Sequence, residues 1–283
     1  MPRLNAVLLA SFRLARVGLH LLHGMAVMAL RFPSLDLAGR QARIGWWSAG
    51  VLRVIGVSLR VSGTPRPGAT LLLANHVSWL DIAALHAAVP HARFVSKADV
   101  LRWPLLGWLI RGAGTLFIER ERKRDALRVV HAMAEALRAG QTVAVFPEGT
   151  TGEGPELLPF HANLLQAAIA TATPIQPAVL RFADPAHRFS PAVAFVGDTS
   201  LLQSLWRVAT ARGLVVHVDL LPAQGSAHAD RRLLAESLRS LMAEHLQAGH
   251  PQAEHPQAEH LQAGHLQAGH LQAGHPQAKQ PQA

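Results

Sequence analysis

The chain has 283 residues, an apolar fraction of 49% and a formal net charge of +9. That length holds one large domain or two small ones, and the apolar fraction is enough for a sizeable core. Cysteine is absent, which excludes disulfides, thiolate zinc sites and a cysteine nucleophile, and fits a reducing compartment.

The charge is concentrated at the start. Residues 1–68 carry nine arginines and a single acid, Asp36, a net +8, so the rest of the chain is close to neutral. Such a segment attracts polyanions, either nucleic acid or anionic lipid. Leu4 to Leu30 is mostly Leu, Val, Ala and Met, and Trp46 and Trp47 follow. Arginine on an apolar helix beside tryptophan reads as a membrane interface rather than a nucleic-acid-binding face. The clean run Val17 to Leu30 contains His20 and His23 and falls short of the roughly 20 apolar residues a span needs. Reaching back to Ala6 supplies the length but takes in Arg13 and Arg16. No small-residue cleavage site follows, as a secretory signal requires. The expectation is a helix lying in the membrane surface; a single span is the alternative, and a buried core helix the plainest reading.

Arg43 to Ile55 is a second apolar helix, ended by Gly56. Ser58 to Ser62 alternates as a strand does, Thr64 to Gly68 is a turn, and Thr70 to Ala74 is a buried strand running into a loop at Asn75. Leu80 to Ala88 is helix-like and Arg93 to Ser96 extended. Leu101 to Ile110 is apolar, either ordinary core or the lining of an apolar path. Thr115 to Ile118 and Thr142 to Phe146 read as strands around a helix from Asp125 to Arg138. A short helix is expected over Phe160 to Ala170, then strands at Ile175 to Leu180, Ala192 to Val196 and Leu214 to Leu220, with a helix between the last two and another over Ala229 to His245. The alternation argues an α/β domain: a central mixed, largely parallel sheet flanked by helices. Sites in such sheets form at the carboxyl ends of strands. From His245 a five-residue unit repeats, with seven histidines at intervals of five. Its proline and glycine argue a disordered tail, either a metal-binding tract or repeat expansion without function. The expected organisation is a membrane-associating segment over 1–56, a catalytic domain over 57–245 and the tail over 246–283.

Three motifs carry chemistry. Asn75-His76-Val77-Ser78-Trp79-Leu80-Asp81 follows the Thr70 strand. Five helical residues turn through about 500°, so His76 and Asp81 meet only if His76 lies in the loop and Asp81 in the first turn of the helix. Asp81 then holds one ring nitrogen and the other serves as a base. A histidine that merely caps the helix satisfies the same spacing. Ser78 raises a serine hydrolase, but no Gly-x-Ser-x-Gly elbow exists, and direct activation of an acceptor hydroxyl is simpler. Arg120 ends a strand after Leu116-Phe117-Ile118, where a guanidinium suits a phosphate. Glu148, within Phe146-Pro147-Glu148-Gly149-Thr150, either fixes a tight turn or binds an acceptor hydroxyl.

In this order the blocks resemble the 1-acylglycerol-3-phosphate acyltransferase family of glycerolipid acyltransferases. Asn75, His76, Ser78 and Asp81 match its first block; Gly114, Phe117, Ile118, Glu119 and Arg120 its second; Phe146 to Thr150 its third; and Pro174-Ile175-Gln176-Pro177 is similar to its fourth. The match covers roughly residues 40–220. The resemblance implies a glycerol-3-phosphate acyltransferase-like fold at the cytoplasmic face of the inner membrane, associated with membrane lipids and not with nucleic acid. It implies transfer of a fatty acyl group from acyl-CoA or acyl-carrier protein to a lysolipid hydroxyl, without metal or bound cofactor. It makes His76 the base and Asp81 its orienter. It places Asn75, Arg120, Glu148, Gly149 and Thr150 at the acceptor, and Lys97 near the acyl group. The expected acceptor is 1-acylglycerol-3-phosphate, giving phosphatidic acid, with a lyso-ornithine or other non-phosphate lysolipid as the alternative. A non-catalytic membrane-binding protein and a lipid hydrolase are the readings from other classes. One departure bears on the acceptor: phosphatidate-forming members carry arginine where this chain has Thr151, a form similar to lyso-ornithine lipid acyltransferases. Gln176 is also unusual inside an apolar strand.

Overall fold

A seven-stranded sheet organises the structure, a computed structural model that describes residues 2–97, 107, 108, 112, 115–118 and 123–248. In chain order the elements are helix α1 (Pro2–Leu30), α2 (Leu37–Ile55), strands β1 (Val57–Ser62) and β2 (Thr70–Ala74), α3 (Leu80–Ala88), β3 (Arg93–Lys97), β4 (Leu116–Ile118), α4 (Lys123–Arg138), β5 (Thr142–Val145), α5 (Gln166–Ala170), β6 (Ile175–Ala183), α6 (Leu201–Thr210), β7 (Leu214–Leu220) and α7 (Arg231–Ala248). The strand order is β1-β7-β6-β2-β5-β3-β4, and only the β6–β7 pair is antiparallel. This is the mixed, largely parallel sheet expected from the alternation.

Strand β2 sits at its centre because all five of its residues are buried, as a strand covered on both faces requires. Its side chains alternate between two cores. Leu72 and Ala74 join residues of α1, α2, α3 and α6 on one face; Leu71 and Leu73 join α4, α5 and α7 on the other. Asp36 caps α2, its carboxylate accepting the Gly39 N–H at 2.8 Å, and Gly56 ends it at φ +96°. That conformation costs glycine nothing.

Helix α1 is continuous for 29 residues, about 43 Å at 1.5 Å per residue. Two of its polar side chains, Arg13 and His20, turn toward the body of the protein, while Asn5, Ser11 and His23 are exposed. Arg13 donates to the Ala209 and Ala211 carbonyls at the end of α6. His20 stacks on Trp47 of α2, and each ring reaches the other residue's carbonyl. Gly24 and Gly50 leave the room these rings occupy. Leu4, Leu8, Phe12, Leu19 and Leu22 remain exposed.

Two expectations change. Residues 192–196 form no strand; they are turn and irregular backbone. Val193 is buried, so the apolar pattern is real, but the Phe195 N–H is spent on the Val77 carbonyl at 3.1 Å rather than on a ladder. The last helix also runs three residues past its expected end, to Ala248. Residues 249–283, with nearly all of the repeat, lie outside the described residues.

Gln176 is accounted for. Its amide donates to the Thr64 and Leu221 carbonyls and accepts the Arg66 N–H at 2.9 Å, stapling the β1–β2 turn to β6. Pro177 is tolerated in β6 because its own carbonyl accepts the Leu221 N–H and Ile175 exchanges both backbone bonds with Gln224, while the chain between Leu221 and Gln224 loops away where a proline has no N–H to offer.

His86, on α3, packs edge-on against Phe94 with ring centroids 4.7 Å apart, and its buried Nδ1 has no hydrogen-bond partner among the described residues. Burial lowers its pKa from 6.5 to about 4. Between those values the unfolded chain binds a proton that the folded chain refuses. Stability from this group is therefore full above pH 6.5 and falls as pH drops toward 4. The cost by pH 4.5 is on the order of 2–3 kcal/mol. Urea unfolding at pH 7 and 4.5 should show a smaller acid loss for His86→Leu than for the wild type; an equal loss would remove His86 from the account.

Candidate active site

The β2 chain leaves the sheet at Asn75. The Asn75 amide donates to the Leu180 carbonyl at 2.9 Å and accepts the Leu180 N–H at 2.7 Å. Both amide groups are thus spent on β6, and the residue is buried. Asn75 thus holds the loop to the sheet.

His76 comes next, and the chain folds back on it. Asp81, wholly buried in the first turn of α3, accepts three hydrogen bonds at Oδ2: from the Val77 N–H at 2.6 Å, the Ser78 N–H at 2.9 Å and His76 Nδ1 at 2.8 Å. A carboxylate at a helix N-terminus is favoured by the helix dipole, and the two backbone donors fix its orientation. An ionised carboxylate only accepts, so Nδ1 carries the proton and Nε2 is left with its lone pair. The His76 side chain is 19% exposed. The loop-then-helix arrangement demanded by the five-residue spacing is therefore the one observed. Ser78 Oγ is buried and makes no hydrogen bond among the described residues, so it forms no serine–histidine pair.

The second motif leaves the neighbouring strand, β5, at the same end of the sheet. Phe146 stacks on His76, with ring centroids 4.0 Å apart and planes 14° apart. Glu148 is buried; Oε1 accepts the His76 N–H at 2.8 Å and Oε2 the Leu158 N–H at 2.9 Å. Burial raises its pKa, while the Leu158 and His76 N–H groups and the His76 ring oppose the shift. With an N–H on each oxygen, Glu148 ties the two motifs together. The His76 carbonyl accepts the Gly152 N–H at 2.8 Å, completing the tie. Gly149 turns the chain at φ +71°, with the His161 ring where a Cβ would sit. Gly149 and Thr150 are exposed. Thr151 donates its hydroxyl to the Phe195 carbonyl, so the irregular 192–196 segment lies over both motif loops.

Lys97 is the last residue of β3, at the strand's carboxyl end and in register with Ile118 of β4. Arg120 lies outside the described residues, as does the apolar 101–110 segment apart from residues 107 and 108. Sequence reasoning missed Phe146 as a partner of His76 and missed Leu158 and Phe195 altogether. Phe146 carried no usable signal, because which strand lies beside β2 is set by packing; the other two contribute only backbone groups, which no side-chain pattern reveals.

The comparisons agree with this geometry. The model of the family described as Acyltransferase matches residues 58–181. The chain is 37% identical over 237 residues to the lyso-ornithine lipid O-acyltransferase of Pseudomonas aeruginosa, covering 83% of this chain and 91% of that one. It is 36% identical over 203 residues to the 1-acyl-sn-glycerol-3-phosphate acyltransferase of Neisseria meningitidis serogroup B, covering 69% and 78%. Its fold is similar to the crystal structure of the 1-acyl-sn-glycerophosphate acyltransferase PlsC of Thermotoga maritima, with a TM-score of 0.68 at 18% identity over 88% of this chain and 97% of that one. With both motif loops joined at the carboxyl ends of adjacent strands, and relatives of this identity over this length, the chain belongs to the acyltransferase family and is an enzyme of that class.

Proposed function

We propose that the protein acylates a lysolipid hydroxyl at a membrane surface, with His76 as general base. The observation that carries the reading is the Asp81–His76 pair, which leaves Nε2 as the ring nitrogen open to substrate. The acceptor O–H gives its proton to Nε2 as its oxygen bonds to the thioester carbonyl carbon. The tetrahedral intermediate collapses, the carbon–sulfur bond breaks, and the sulfur takes the proton from Nε2. Asp81 keeps the ring in the working tautomer and balances the imidazolium. Acyl-CoA or acyl-carrier protein is the donor. A base and a thioester suffice for this sequence of steps, so the reading assigns no metal or cofactor. Arg120, Gly149 and Thr150 are placed at the acceptor and Lys97 near the acyl group on the family resemblance.

The acceptor we favour is a lyso-ornithine lipid. Thr151 supplies no cation, and its hydroxyl is committed to Phe195. The relative named for that acceptor is also matched over more of its length than the one named for 1-acylglycerol-3-phosphate. The similar identity to the latter keeps 1-acylglycerol-3-phosphate as the second reading. Residues 1–56 are the membrane-associating part and 57–245 the catalytic part. The exposed leucines and phenylalanine of α1, with Arg13 and His20 turned inward, support a helix lying on a membrane surface, which the family resemblance puts at the cytoplasmic leaflet. Mass spectrometry of products from a lysolipid panel, with each donor, tests the whole reading. Lyso-ornithine lipid should be acylated at least as fast as 1-acylglycerol-3-phosphate. Preference for the phosphate acceptor would move the assignment to the second reading, and free fatty acid released without any acceptor would make the protein a hydrolase.

A further inference from the structure

Helix α6 carries apolar side chains that nothing within the described protein covers. Ser204, Val208 and Ala209 are buried, yet Leu202 is 78% exposed and Trp206 42%. At about 100° per residue, Leu202 and Trp206 precede Ala209 by seven and three positions and share its stripe. At Ala209 that stripe is closed by α1: Ala10, Leu14 and Val17 join the same core as Val208 and Ala209, and Arg13 binds the Ala209 carbonyl. Toward the start of α6 the stripe is bare, beside a helix that itself exposes Leu8 and Phe12. The junction is basic. Arg16 and Arg212 lie near enough to Arg13 that their charges add to burial in lowering its pKa.

We propose that the exposed stripe of α6, Leu202 and Trp206, is a second membrane-contacting surface, continuous with α1 and seated on an anionic phospholipid bilayer. An isolated exposed leucine needs no explanation, but a leucine and a tryptophan on one stripe, next to arginines and an apolar helix, match an interfacial helix. The Arg13, Arg16 and Arg212 cluster supplies charge complementary to anionic head groups. The inner side of α6 reaches the catalytic loop: Trp79, two residues before Asp81, donates its indole N–H to the buried Ser204 hydroxyl at 3.0 Å. Lipid against the outer side of α6 is therefore one helix away from the loop that holds His76.

The inference rests on α1 lying on the bilayer, and the test separates the two. Because the chain has no cysteine, Leu202→Cys, Phe12→Cys and Arg207→Cys each give the full chain a single thiol for an environment-sensitive dye. Arg207 is exposed and lies about 140° around the helix from Leu202. Retained acyl transfer confirms that each labelled protein is folded. With vesicles of phosphatidylcholine and phosphatidylglycerol, dyes at 12 and 202 should shift to the blue and lose emission to nitroxide-labelled lipid, and the dye at 207 should stay aqueous. A dye at 202 that stays aqueous while the dye at 12 enters lipid overturns the α6 surface and leaves the α1 reading standing. A dye at 12 that stays aqueous overturns both.

Discussion

Replacing His76 with alanine is expected to lower kcat for acyl transfer by about 10²–10⁴-fold, the usual contribution of a positioned general base. The change removes Nε2 without touching the backbone that organises the site. The His76 N–H still donates to Glu148 and its carbonyl still accepts from Gly152. The stack on Phe146 is lost, so a modest fall in Tm is expected beside the loss of activity. Steady-state kinetics with the best acceptor, alongside thermal unfolding, separate the two effects. An alanine variant that still acylates lysolipids at the wild-type rate would remove His76 from the chemistry and leave the site with a structural histidine.

The second large effect is expected at Asp81, where the choice of substitution matters. Alanine strips the partner from three donors at once, two of them buried backbone N–H groups, each worth about 1–3 kcal/mol when left unsatisfied. That variant confounds catalysis with folding. Asparagine keeps an oxygen where Oδ2 stands and so retains the backbone bonds. Its NH2 falls where Oδ1 stands, a buried position without a partner among the described residues. The retained oxygen also still accepts from His76 Nδ1, so what is lost is the negative charge that balances the imidazolium. Asp81→Asn is expected to lower kcat by about 10²–10⁴-fold, with KM little changed. Equal kcat in the asparagine and wild-type proteins would show that the pair only shapes the loop.

The same residues show how far reading the chain could go. The His76–Asp81 pair was legible because it is local: strand, loop and first helical turn are contiguous, and the five-residue spacing permits one geometry. Strand β2 was legible because five consecutive apolar or small residues suit only an element covered on both faces. Glu148 was half legible. Its turn after a strand could be read, but its partners, the His76 and Leu158 N–H groups, are 72 and 10 residues away. The 192–196 segment misled because a short apolar run looks the same whether its backbone bonds go to a strand or to a loop.

By itself the sequence determined the α/β class, the basic apolar start of the chain, and a histidine and carboxylate placed to form a base. Periodicity, composition and short spacing are local quantities, and these features depend on nothing else. The tertiary structure alone decided that Asn75 and Glu148 brace the site, that Phe146 stacks on the base, and that Gln176 belongs in its strand. Each follows from the order β6-β2-β5, which sets which loops meet at the carboxyl ends of adjacent strands. Strand order is a property of packing over the whole chain, and alternating elements along a sequence are compatible with many such orders.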